Sequence, residues 1–143
     1  MNTRLRRIHL EVLALAAQFG TVDFDDVTGT WVLLPNFPLP PGWNRASTRL
    51  MIYLPPAYPE TPPQHFYLDR GLRDGLGRAP AHYFEGTSGR IGPDSGLACY
   101  CLHSQVGSAG GWSPSADLRR GDSLLTYVEV ILAVLTEDVR LQR

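Results

Sequence analysis

The sequence predicts one α+β domain, with a helix at each end and one antiparallel sheet packed between them. Three observations carry this. Apolar residues recur at helical spacing in the first and last stretches. The middle alternates apolar and polar residues, the period of a half-buried strand. A dense proline run then closes the alternating part, where neither helix nor central strand continues. At 143 residues the chain is long enough to bury its own core, and residues 1–143 read as a single unit with no internal repeat and no domain break.

From Thr3 to Phe19, Leu5, Ile8, Val12, Leu15 and Phe19 fall on one helical face. Asn2 or Thr3 suits the start, and Gly20 suits the end. Arg4, Arg6 and Arg7 crowd the first turn, where the helix dipole favours acids. They read either as a solvated face or as a docking patch for an acidic partner. Val22 to Val27 is short and acidic, suited to a sheet edge, and Thr30 to Leu34 is β-rich. Pro35 to Gly42 holds four prolines and reads as an extended loop or a sheet edge. Thr48 to Leu54 is the clearest strand. Leu50, Ile52 and Leu54 point one way, and Arg49, Met51 and Tyr53 the other. Pro55 to Pro63 is a rigid loop, and His65 to Leu68 a further short strand.

Asp69 to Ser95 is rich in Gly, Arg and Asp and exceeds ordinary connections, so it reads as functional or mobile. His82, Tyr83 and Phe84 are its apolar knot, expected to tack it to the core. Gly107 to Gly111 is a flexible tract ahead of Trp112. The last element runs from Ser123 to Leu141, with Asp122 as N-cap. Leu124, Leu125, Val128, Ile131, Leu132 and Leu135 form its apolar stripe.

Composition narrows the function. A net charge of -1 argues against nucleic-acid binding. No apolar run reaches the ~20 residues of a membrane span. Glu11 and Gln18 interrupt the N-terminal apolar stretch, so it is no signal peptide and a cytoplasmic location is expected. There, two cysteines are reactive, metal-binding or core residues rather than a disulfide. All 13 basic residues are arginine. Base composition of the coding sequence explains this, and so does the advantage of lacking side-chain amines near a reactive thioester.

Both cysteines lie in one stretch, Gly96 to His103, followed by Trp112, Ser113 and Pro114. If the stretch is extended, Cys99 and Cys101 share a face and Tyr100 takes the other. A thiolate here is a nucleophile, and a free cysteine pKa of ~8.5 leaves a few per cent thiolate near neutrality. Either cysteine also suits a small buried position. A zinc site from Cys99, Cys101, His103 and His82 is an alternative, although structural zinc uses wider cysteine spacing. No metal or other cofactor is expected. A cysteine hydrolase lacks an upstream histidine and acid beyond His82.

Taken in order, these features resemble a ubiquitin-conjugating enzyme. A first helix leads to a Tyr-Pro-x-x-Pro-Pro bracket at Tyr58, Pro59, Pro62 and Pro63. Cys101-Leu102, a Trp-Ser-Pro segment at Trp112 and a final helix follow. The resemblance spans roughly Thr3 to Leu135. It implies the family fold, with a four-stranded meander, an active-site loop and the C-terminal helix. It implies an enzyme that takes a ubiquitin-like modifier from an activating enzyme as a cysteine thioester and passes it to a target amine. Cys101 is then the first choice of nucleophile, because Leu102 follows it and Trp112 lies at the expected distance. Cys99 has the better-placed glycine, Gly96. His103 is placed to hydrogen-bond the thiol. The family's His-Pro-Asn is absent, because Ile91, Gly92 and Pro93 stand where it is expected. Asp94, Ser95 and His82 are the candidates to replace its asparagine. Asp117 and Asp122 flank the path of an incoming amine. Arg4, Arg6, Arg7, Tyr58, Pro62, Pro63, Trp112 and Pro114 are the implied partner-facing residues. The departures are similar to a bacterial branch encoded in antiphage operons. An inactive binding module of the same fold is the rival reading.

Overall fold

The computed structural model describes residues 2–63, 65–85, 96–101 and 111–141, with the backbone alone at 101, 140 and 141. Helix α1 spans Thr3–Phe19 and buries Leu5, Ile8, Val12 and Leu15, the stripe its spacing predicts. Asn2 is its cap, accepting from the Leu5 amide at 2.7 Å. Gly20 ends it at φ 82°, a backbone region that glycine enters without a Cβ clash.

The strands are β1 (Asp23–Phe24), β2 (Trp31–Pro38), β3 (Ser47–Tyr53), β4 (His65–Asp69), β5 (Tyr83–Phe84) and β6 (Leu97–Cys101). They form one six-stranded sheet in the order β1-β2-β3-β4-β6-β5. Every pairing between them is antiparallel. The first four are consecutive neighbours. The sheet exceeds the expected four strands because the thiol stretch pairs with β4 and the Tyr83 knot adds an edge beyond it. β2 continues through Pro35 to Pro38, and this end pairs with β3 alone, the sheet edge its prolines allow. A bulge between Leu34 and Phe37 takes Pro35 out of the ladder, so its missing N–H leaves no pair unmade.

Helix α2 spans Leu124–Leu141. Ile8, Val12 and Leu15 of α1 and Leu124, Val128, Ile131 and Leu135 of α2 join one core. Val32, Leu34, Leu50, Ile52, Phe66, Leu68, Ala98 and Tyr100 supply its sheet side. Both helices therefore cover the same face, and the sheet is not packed between them as expected. The strands explain why. Apart from Thr48, their inward positions among the described residues are apolar, whereas the outward ones include Arg49, His65 and Asp69. Among the described residues, the outer face carries a small cluster, Tyr67 and Leu97 with Met51, Tyr53 and Cys99.

The cap of α2 is Ser123 rather than Asp122. The Leu125 amide donates to Ser123 Oγ at 3.1 Å, and the Ser123 amide donates to Thr126 Oγ1 at 2.9 Å. Asp122 instead closes the preceding loop, accepting from the Ser113 amide at 2.7 Å. Tyr83 is buried and anchors its segment as expected. Its hydroxyl donates to the Asp69 carbonyl and accepts from the Leu72 amide. Among the described residues no helix is long and apolar enough to cross a membrane.

Candidate thiol site and docking groove

Gly96 starts the thiol strand at φ 75°. The positive φ selects glycine, and a Cβ there would also lie 2.8 Å from Arg49 Nη2, whose flexible end would have to shift. Arg49 bonds the Gly96 carbonyl at 3.3 Å and Asp69 at 2.6 Å, while Arg45 reaches Asp69 at 3.0 Å. This cluster fixes where β6 begins. From there the ladder sets each residue. Cys99 lies opposite Tyr67 on one side and Phe84 on the other, and Cys101 lies opposite His65.

Tyr100 points inward and stacks on Phe66, with centroids 4.9 Å apart and planes 13° from parallel. Alternation puts Leu97, Cys99 and Cys101 at outer-face positions, as the extended reading expects. Cys99 is half-buried beside Tyr67 and Leu97. Cys101 is the last residue of its strand. His103, Asp94, Ser95, Leu102 and the Ile91-Gly92-Pro93 stretch lie outside the described residues. So does Gly107 to Gly110.

Behind the strand, α2 holds the approach to β5. Asp138 accepts from the Ala81 amide at 2.9 Å, and the Tyr100 hydroxyl approaches the same oxygen at 3.5 Å. Burial, and then the neighbouring carboxylate, push the Tyr100 phenol above its usual range. Burial likewise raises the Asp138 carboxyl, outweighing the hydrogen bonds it accepts. His82 precedes β5 at φ 57° and is exposed.

The proline bracket meets both helices at Glu11, which is fully buried. Its carboxylate accepts from the Tyr58 hydroxyl at 2.5 Å, the Leu124 amide at 2.6 Å and Arg7 Nε at 3.1 Å. Burial, followed by the Glu11 charge, raises the Tyr58 phenol far beyond its usual range. A buried carboxylate is tolerable only with such a full set of donors. Trp112 Nε1 donates to the Pro59 carbonyl at 2.8 Å, and its ring sits 6.3 Å from that of Tyr58. Tyr58 and Pro63 are buried and Pro62 and Pro114 half-buried, so the bracket acts as a shaped frame.

The three first-turn arginines divide. Arg4 donates to the carbonyls of Tyr58, Pro55, Gly29 and Thr28 at 2.9 to 3.1 Å. Arg7 donates to the Ser115 and Asp122 carbonyls besides Glu11. These two tie loops to α1, which explains cations at the unfavourable end of the dipole. Arg6 is exposed. It borders a groove of about 580 Å³ lined by Leu10, Pro56, Ala57, Pro114, Ala116 and Leu118. Arg119 and Arg120 stand close by in sequence to Leu118, their side chains 91% and 84% exposed. Asp117 pairs with both, and Asp122 is committed to the loop.

Two residues of the site were not singled out from the sequence. Glu11 sits on the apolar stripe of α1, one turn after Arg7, and a carboxylate at a core position is the signal that could have found it. His65 gives no such signal, because its neighbour Cys101 comes from a strand 36 positions later. Among the described residues no group of three or more metal-binding side chains occurs.

A family model described as prokaryotic E2 family E matches residues 16–136. Comparison with curated proteins finds no match, and neither does comparison with solved structures.

Proposed function

The chain belongs to prokaryotic E2 family E, and on that premise we propose that it carries a ubiquitin-like modifier as a thioester on Cys101. The supporting observation is the position of Cys101 at the end of β6, on the face that neither helix covers. A face clear of both helices suits a nucleophile that must meet a second, large enzyme. The Cys101 thiolate attacks the thioester carbonyl on the activating enzyme. The new carbon–sulfur bond forms as the enzyme's own thiolate leaves, and a target amine later displaces Cys101. Thiolate and thioester are close in energy, so the loading step needs pre-organisation more than strong acid or base.

The groove beside Arg6 is the proposed docking surface for the activating enzyme. Its apolar floor and the exposed Arg6, Arg119 and Arg120 fit an acidic-rimmed apolar partner. Trp112, Pro114, Pro62 and the buried Tyr58 and Pro63 shape that surface. A cytoplasmic role in antiphage defence follows from the bacterial branch that the sequence resembles.

The experiment mixes activating enzyme, ATP, modifier and this protein, and resolves the products on a non-reducing gel. A reductant-sensitive band forms with the natural chain and with Cys99→Ala, and is lost with Cys101→Ala. Cys101→Ser gives a slower, reductant-resistant ester. The reverse pattern moves the nucleophile to Cys99. No band, with an activating enzyme shown to be active, favours the inactive binding module instead.

A further inference from the structure

We infer that His65 is the proton acceptor for the Cys101 thiol. The reaction it serves rests on the thioester reading above. The geometry rests on strand register.

His65 and Cys101 are the terminal pair of the β4–β6 ladder. Directly opposed residues share a face, with Cβ atoms ~4.5–5.5 Å apart. The next pair, Phe66 and Tyr100, stacks on the inner face. The His65 and Cys101 positions therefore both fall on the outer one. His65 is half-buried there.

Among the described residues, the other titratable groups near this position are placed as follows. From β4, Asp69 is four residues along the strand and held by Arg45 and Arg49. Tyr67 meets Tyr53 of β3 edge-on at 5.5 Å and faces Cys99 of β6. From the β5 side, His82 is one step past the Tyr83–Tyr100 pair. Its positive φ turns it out of the strand, and its charge acts on Asp138 of α2. That leaves His65 as the described imidazole whose strand position faces the thiol.

An imidazole beside a thiol stabilises the thiolate by becoming imidazolium. His65 takes the Cys101 S–H proton, the thiolate attacks, and the proton goes from His65 to the departing thiolate of the activating enzyme. Nothing else is consumed. If the pair lowers the thiol pKa from ~8.5 to ~7, the thiolate share at pH 7 rises about fifteenfold, and reduced nucleophilicity cancels about fivefold of it. The net gain is about threefold at pH 7, vanishes near about pH 8 and is reversed by about pH 9, where both thiols are largely ionised.

The test uses Cys99→Ala protein, which keeps Cys101 as its one thiol, and follows iodoacetamide alkylation against pH by intact mass. Adding His65→Gln should slow alkylation about threefold at pH 7 and speed it at pH 9, so that the two profiles cross. Coincident or parallel profiles overturn the inference. A second measurement leaves His65 in place. Its imidazole proton resonance should titrate at lower pH in Cys101→Ala than in the natural chain, because the thiolate partner is gone. An unmoved midpoint overturns the inference even if His65→Gln fails to fold. Neither assay needs the activating enzyme. Crossing profiles without a thioester band would sink the conjugating reading and keep the pair. A Cys101 thioester with coincident profiles would do the opposite.

Discussion

The two faces of the sheet come from the same strands and the same alternation, yet they do different work. On the inner face, Leu34, Leu50, Ile52, Phe66, Leu68 and Ala98 are at most 1% exposed under two helices. On the outer face, among the described residues, Tyr67 and Leu97 form the buried cluster, with Cys99, Met51 and Tyr53 half-covered around them. Stability is concentrated where the helices sit. The Cys99 thiol stands where substitution disturbs little packing. A strand can thus carry a thiol at one position and a core aromatic at the next, with separate consequences for change.

The largest expected effect lies on the inner face. Phe66→Ala removes a fully buried ring stacked on Tyr100 and should cost about 3–5 kcal/mol in urea unfolding. A cost as small as that of an outer-face change such as Cys99→Ala would break the contrast. Next is Gly96→Ala at the start of the thiol strand. The positive φ and the close Arg49 guanidinium should together cost about 1–3 kcal/mol by the same measurement. A neutral result would mean that the outer face yields freely.

A smaller effect tests the polar exception beneath the helices. Burial raises the Asp138 carboxyl, so its ionisation opposes folding. Its stabilising contribution is complete below the unfolded value of ~3.9 and is lost as pH rises through the higher folded value. Asp138→Asn keeps an oxygen for the Ala81 amide and removes the charge. It should melt no lower than the natural chain at pH 7, and the natural chain should gain on it as pH falls towards 4. A widening advantage for the natural chain at high pH contradicts the sign. The smallest effect on stability is expected at Arg6→Glu, within ~0.5 kcal/mol. The same change should slow loading, most at low salt, where charge steering is least screened. Unchanged low-salt loading removes Arg6 from the docking surface.

Local signals were legible in the sequence. The stripe of α1, the alternation of β3, the rigid bracket and the Tyr83 anchor all follow from residues within a few positions of one another. What escaped depended on distant partners. The β4–β6 pairing spans a long connection, so neither the six-strand order nor the facing of His65 and Cys101 could be read locally. Arg4 and Arg7 looked like a surface patch because the carbonyls they satisfy come from loops far along the chain. Asp122 and Ser123 both suit an N-cap, and only the demand of the Ser113 amide decides between them. Two-sided helix cover fails for a similar reason: alternation marks an apolar face, while loop paths decide which helices reach it.

The Glu11 carboxylate has a consequence for the breathing of the chain. The opening amides of a helix usually exchange readily with solvent, because no carbonyl within the helix accepts them. The first amide of α2, that of Leu124, is instead given to a residue 113 positions earlier, at 2.6 Å. Movement of either helix breaks the bond, so it is lost when α2 frays or when α1 lifts. The tie therefore adds a cost to local opening at the joined ends of both helices. Deuterium uptake at that single backbone position should report loss of the tie between the two helices, and a partner seated across α1 and the bracket should slow it without touching the amide.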